Sequence, residues 1–297
     1  MEETRKILEK LGLPKGDGFT LPESQKRFGD GAQYRFEVPG IQGPGTMKAL
    51  LEEVDARNLV IHRVTQTKGI MLLTDNEILE MIKLSKEYQV DLVLAIGPRA
   101  TYDTSASVNT VEGQRMGLRL RGQEQIIRAI EDVKRTIALG GKSFLLYDEG
   151  LLWTLSEMRK MGEIPENVKF KVSAHAGHGN PASAKLLESI GANSVNPVRD
   201  LTLPMLSSIR QAINVPIDLH TENPKSSGGF IRHYEVPEMI RLTSPLFLKT
   251  GGSVAKTHAW DTTVADAKNR AKQVSLVKRV IDQYCPEAVM SAKGSIE

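Results

Sequence analysis

KSFLLYDEG, residues 142–150, is apolar on both parities through its centre. It ends in two acids, Asp148 and Glu149, before a helix-like stretch at 151–162. A strand apolar on both faces suits a parallel sheet covered on both sides. The same unit occurs seven more times. Upstream are YRFEVPG (34–40), LVIHRVTQT (59–67) and DLVLAIGPRA (91–100). Downstream are VKFKVSAHAG (168–177), NSVNPVRD (193–200), VPIDLHTEN (215–223) and PLFLKTGG (245–252). The other helix-like stretches are 46–58, 75–89, 122–139, 180–191, 202–214, 231–244 and 262–284. Right-handed crossovers leave a closed barrel or an open doubly wound sheet. Eight units fit closure, and no Gly-rich phosphate fingerprint follows the first strand. The expected fold is α/β, a (β/α)8 TIM barrel over 34–290. A short helix at 2–12 and a Gly- and Pro-rich loop form an N-terminal extension, 1–33. That loop plugs the bottom, covers the top or reaches a neighbouring subunit.

The 297 residues suffice for one large barrel and are too few for a second full domain. The 40% hydrophobic and 25% charged content argues against disorder. A net charge of +3 is too small to imply nucleic-acid or membrane binding. The lone Cys285 excludes an intrachain disulfide framework and fits a reducing cytosol. MEETRKILEKLGL lacks the apolar core of a secretory signal, and no run approaches 18 apolar residues. A cytoplasmic protein is expected, and a homo-oligomer, as barrels often are. Helix starts are expected at Asp75, at Asn180 with Pro181, and at Thr202.

In a barrel of this kind the active site lies at the C-terminal strand ends. In the seventh strand Asp218, His220 and Glu222 share a parity, as do Lys171, Ser173 and His175 in the fifth. Polar groups facing inward need partners: one another, a metal or a substrate. A buried lysine needs a carboxylate, and Glu149 or Asp148 is the expected partner of Lys171. The first strand offers Glu37, the second His62 and Arg63, the third Arg99, the sixth Asn196 and Arg199, the eighth Lys249. All six histidines (His62, His175, His178, His220, His233, His258) are expected on the one catalytic face. Imidazole there is the usual acid, base or metal ligand. The basic groups at the strand ends imply a small anionic substrate, a carboxylate or phosphate. Gly228 and Gly229, in SSGGF before a helix, and Gly251 and Gly252 follow strands seven and eight. Barrels commonly bind phosphate there.

LFLKTGG resembles the strand ends of class I aldolase barrels such as deoxyribose-phosphate aldolase. That resemblance implies Lys249 as a Schiff-base nucleophile beside a phosphate-holding turn. MLLTDNEILEM, the GPR turn, YDEGLLW and GHGNPASAKLLESIGA resemble the collagenase-like peptidases of unknown catalytic type. The pattern covers most of 34–250. The chain has no cysteine before Cys285 and so lacks that family's cysteine signature. The resemblance therefore implies the barrel more than any reaction.

The leading expectation is a lyase, aldolase or isomerase acting through an enolate or imine. Glu149, His175, His220 and Glu222 are the base candidates, and Lys171 or Lys249 the enolate or imine partner. A divalent metal on Glu149, His175 and His220 is the expected cofactor, if one is used. A peptidase-like hydrolase and a non-catalytic ligand-binding barrel are the alternatives.

Overall fold

The computed structural model describes residues 2–10, 20–97, 106–114, 117–255 and 262–295. Its strands are β1 (Tyr34–Ile41), β2 (Arg63–Gln66), β3 (Asp91–Ala95), β4 (Ser143–Leu146), β5 (Lys169–Val172), β6 (Ser194–Val195), β7 (Ile217–His220) and β8 (Leu246–Lys249). Each pairs in parallel with the next, and β8 closes on β1. The expected closed barrel is the observed one.

Helices alternate with the strands. After α1 (Glu2–Lys10) come α2 (Pro44–Ala56), α3 (Asp75–Glu87) and the short α4 (Val111–Gln114). Then follow α5 (Gly122–Ala138), α6 (Glu149–Lys160), α7 (Pro181–Ser189), α8 (Leu203–Ala212), α9 (Val236–Thr243) and α10 (Val264–Tyr284). Among the described residues no helix is long and apolar enough to cross a membrane.

The helix starts follow cap chemistry with one correction. Asn180 Oδ1 accepts the Ser183 N–H at 2.9 Å with Pro181 in the first turn, as expected. Asp75 does not cap α3; Thr74 does, in a reciprocal box with Glu77. Asp75 instead sits one residue inside, where a carboxylate favours the helix dipole. Thr202 occupies the start of α8 but makes no side-chain cap bond. Thr74→Ala should cost about 1 kcal/mol, read as a fall in chemical-denaturation midpoint.

The main core lies between strands and helices. Phe36, Val64, Leu94, Phe144, Phe170, Leu219 and Leu248 pack outward against residues such as Leu50, Ile78, Leu152, Met239 and Val274. The barrel interior is split. Val93, Ala95, Leu145 and Tyr147 make an apolar wall on β3 and β4. The other strands turn charges inward, and those charges build the site.

Residues 20–33 cross the bottom of the barrel, one of the three placements left open by the sequence. The Phe28 ring meets Phe247 edge-on at 5.3 Å. The Arg35 guanidinium lies 4.0 Å from the Phe28 ring centre. The C-terminal segment joins it there, with Gln33 N–H donating to the Val289 carbonyl and Arg35 Nε to Ser291 Oγ, both at 2.8 Å. Cys285 is buried and its thiol is pushed up to about 11 by burial, so it is unsuited to act as a nucleophile.

Candidate active site

A buried ion network fills the middle of the barrel. The fully buried Glu37 carboxylate pairs with Lys171 and lies 3.5 Å from both Arg63 and Lys249. Thr65 Oγ1 donates to it at 2.8 Å. Asp218 takes Arg63 at 3.0 Å, Lys171 at 3.2 Å and the Ser194 hydroxyl at 2.9 Å. Arg63 also reaches Asp91 at 3.3 Å and stacks 3.4 Å from the Phe247 ring centre. Burial alone would raise the Glu37 pKa. Lys171, Lys249 and Arg63 outweigh it and hold the carboxyl well below the ordinary range. The partners of Lys171 are therefore Glu37 and Asp218, and Glu149 and Asp148 are not among them. Glu37 projects to the barrel axis from β1, whereas Asp148 and Glu149 lie past the end of β4. Asp148 caps α6, accepting from the Leu151 N–H at 3.1 Å.

Above this layer, at the C-terminal strand ends, opens a pocket lined by Tyr147, Ser173, His175, Arg199, His220 and Lys249. Lys249 rises from the network into it. Its ammonium donates to Asn196 Oδ1 at 3.1 Å. Burial, then the like charge of Lys171, lower its pKa to about 7, against the opposing pull of Glu37 and Asp218. At neutral pH much of this amine is therefore unprotonated. Asn196 is itself fixed, donating Nδ2 to the Asp218 carbonyl at 2.6 Å.

Arg199 stands between two imidazoles. It donates Nη2 to His175 Nε2 at 2.9 Å and Nε to His220 Nε2 at 3.3 Å. A ring nitrogen that accepts from guanidinium carries no proton, so each Nε2 facing Arg199 is the acceptor nitrogen of its ring. Burial first, then Lys249 and Arg199, hold His220 far below the ordinary histidine range. Its proton then sits on Nδ1, which has no hydrogen-bond partner among the described residues.

Other expected site residues lie elsewhere. His62 is at the bottom, contrary to the single-face expectation. It precedes β2, where its Nδ1 accepts the Phe36 N–H at 3.1 Å and its Nε2 meets the Ser291 carbonyl at 2.9 Å. Burial lowers it to about 4. Arg63 and Lys171 belong to the network, and both line the opposite, bottom cavity. Glu222 is fully buried but tied off, accepting from the Gly251 N–H, the Thr221 hydroxyl and His233. It pins the β7 and β8 loops together. Glu149 pairs with Arg119 and His178 at the rim. The proposed metal trio is thus divided: Glu149 is held by Arg119 and His178, while His175 and His220 flank Arg199. Among the described residues no group of three His, Cys, Asp or Glu could hold a metal.

The glycine turns also depart from expectation. Gly228 and Gly229 do not open a helix; α9 begins at Val236. Their N–H groups donate to the Lys225 and Pro224 carbonyls. Gly251 has φ +100 and gives its N–H to Glu222, so these three amides are already engaged. A Cβ on Gly252 would lie 2.9 Å from the Glu222 carbonyl oxygen, so close packing explains that residue. Arg99 and His258 lie outside the described residues.

The sequence reading missed Arg270. It sits on α10 among Ala267, Ala271, Val274 and Val277, all buried. A charge on the core stripe of an otherwise apolar helix face was the available signal. It donates to the Gly251 carbonyl at 2.6 Å and lines the same pocket as Lys249.

No family model matches the chain, and no curated protein does. Solved structures do. The U32 peptidase Mk0906 is 12% identical, over 70% of this chain and 73% of that one, with a TM-score of 0.41. Thiamine phosphate pyrophosphorylase from Pyrococcus furiosus is 11% identical over 84% and 98%, with a TM-score of 0.47. A native KDPGal structure is 8% identical over 88% and 99%, with a TM-score of 0.49. None of these likenesses assigns a role to a residue of this chain.

Proposed function

We propose that this barrel is a lyase that forms an imine between Lys249 and a small anionic carbonyl compound. The observation that carries the reading is the Lys249 amine, buried in the upper pocket with its pKa lowered to about 7. An imine needs a neutral amine as nucleophile, and a lysine next to another cation in a desolvated site supplies one. The neutral amine adds to the carbonyl carbon, giving a carbinolamine. Loss of water gives the imine, whose positive nitrogen accepts the electron pair released when an adjacent carbon–carbon bond breaks. The enamine then takes a proton, and water returns the amine. His220 Nδ1–H, without a partner among the described residues, donates a hydrogen bond to the departing hydroxyl, and solvent supplies the proton for loss of water. Lys171 is a positioning residue. It acts on Lys249 by charge and is itself neutralised by Glu37 and Asp218.

Cyanoborohydride with a small oxo acid should add the acid's mass, less one oxygen, to Lys249. Trapping below pH 7 should fall about tenfold per pH unit, because the ammonium form dominates there, and level off above about pH 8. Adduct mapped to another lysine, or a midpoint near 10, would sink the reading.

A further inference from the structure

We propose that Arg199 is the receptor for a carboxylate next to the reacting carbonyl, which makes the substrate a 2-oxo acid. The assignment rests on the Lys249 reading only for where the carbonyl carbon sits.

Arg199 is a half-buried cation without a charge partner. No carboxylate among the described residues pairs with it, and the groups that take its N–H bonds are His175 Nε2, His220 Nε2 and the Ser227 hydroxyl at 3.0 Å. A guanidinium carries five N–H donors. Three are used by those neighbours, which leaves one on each terminal nitrogen. A carboxylate takes two parallel N–H bonds from one guanidinium. Desolvation is the main influence on this guanidinium, and a charge desolvated without a counter-ion carries a cost that an anionic ligand relieves.

The guanidinium is also held in place. Its loop is pinned by the Val198 N–H to the His178 carbonyl at 2.8 Å and by Arg232 to the Leu201 carbonyl at 2.8 Å. Holding the receptor in advance lowers the ordering cost of binding. The position relative to Lys249 fits a short ligand. His220, which accepts from Arg199, pairs in register with Lys249 on the next strand. Neighbouring strands lie about 4.8 Å apart. The carboxylate and carbonyl carbon of a 2-oxo acid are directly bonded, and so compact a group suits two adjacent receptors.

The chemistry favours carboxylate over phosphate. The amides of Gly228, Gly229 and Gly251 are taken by protein oxygens. The turns after β7 and β8 therefore do not present those three donors to a phosphate.

Calorimetry separates the two readings. Lactate carries the carboxylate but no carbonyl, so it reports on Arg199 without imine formation. Wild-type protein should bind lactate with a heat that calorimetry resolves. Arg199→Met should weaken binding at least about 30-fold, and Arg199→Lys, which keeps the charge without the fork, about tenfold. Lactamide, the uncharged isostere, should bind all forms weakly and alike. If Arg199→Met fails to fold, the lactate-to-lactamide ratio in Arg199→Lys still decides. The inference is overturned if lactate does not bind the wild type, if Arg199→Met binds it unchanged, or if glycerol phosphate binds more tightly in an Arg199-dependent way. Lactate binding as expected with no pyruvate trapped on Lys249 leaves the Arg199 receptor standing and removes the imine. Hydroxyacetone trapped as readily as pyruvate, in wild type and Arg199→Met alike, leaves the imine and removes the receptor.

Discussion

Lys249→Met should abolish adduct formation, lower any lyase rate at least about 1000-fold, and raise thermal stability. The two effects have one cause. The Lys249 amine is buried beside Lys171 and Arg199, and burial is the largest influence on it. Glu37 lies 3.5 Å away and still keeps Lys171 and Arg63 when Lys249 is gone. Methionine fills similar volume without a charge to desolvate. Replacing buried charge by apolar groups is often neutral or stabilising by about 1–4 kcal/mol. The sign with pH follows from linkage. An unfolded lysine binds its proton up to about 10.5, and the folded one releases it near 7. The cost of burying this lysine is therefore fully present below pH 7. It is relieved as pH rises from 7 toward 10.5, where the unfolded chain holds the extra proton. Melting temperatures of wild type and variant should differ most near pH 6.5 and converge by pH 10. A variant less stable than wild type at pH 6.5 would mean that Lys249 is held by attraction and is not a strained nucleophile.

The barrel was legible because each strand's polar tail and following helix are written locally. VLAI and FLL read as apolar on both faces and are buried on both faces. Inward parity was also readable: Lys171 with Ser173 and Asp218 with His220 do face the interior. The pairing of those charges was not. Glu37 and Lys171 are separated by 134 positions and meet only because the sheet closes. Sequence proximity pointed instead to Asp148 and Glu149, which the start of α6 takes as cap and first-turn residues. Parity failed for Glu222 because the strand had already ended at His220, and alternation no longer fixes direction in a loop. His62 failed for the opposite reason. LVIHRVTQT reads as one strand from its start, but β2 begins only at Arg63 and leaves His62 at the bottom edge. Lys249 was marked by its resemblance to aldolase strand ends. Its weakened basicity comes from burial and then from Lys171, three strands away around the barrel, and local sequence carries no trace of either.

Glu37→Gln should be the most damaging conservative change in the molecule. Glutamine keeps the shape and removes the one carboxylate shared by Arg63, Lys171 and Lys249. Asp218 remains for Arg63 and Lys171, but the two cations then share it, and Lys249 loses its ion-pair partner and keeps only the weaker pull of Asp218. Breaking a buried pair in this way costs about 3–5 kcal/mol, a fall in melting temperature on the order of 10 °C. Because the Glu37 carboxyl is depressed when folded, its stabilisation is present above about pH 4.5 and is lost as pH falls below the ordinary carboxylate range. Wild type and variant should therefore differ most above pH 5 and draw together in acid. Adding Lys171→Met removes the cation that Glu37 mainly neutralises, so the double variant should recover part of the loss. The two substitutions also move Lys249 in opposite directions. Losing Glu37 removes an attraction that favours the ammonium, and losing Lys171 removes a repulsion that disfavours it. The pH midpoint for trapping a carbonyl on Lys249 should then fall below 7 in Glu37→Gln and rise above 7 in Lys171→Met. A midpoint unmoved by either change would show that burial alone sets the amine, and that the charges beneath it serve only to hold the barrel together.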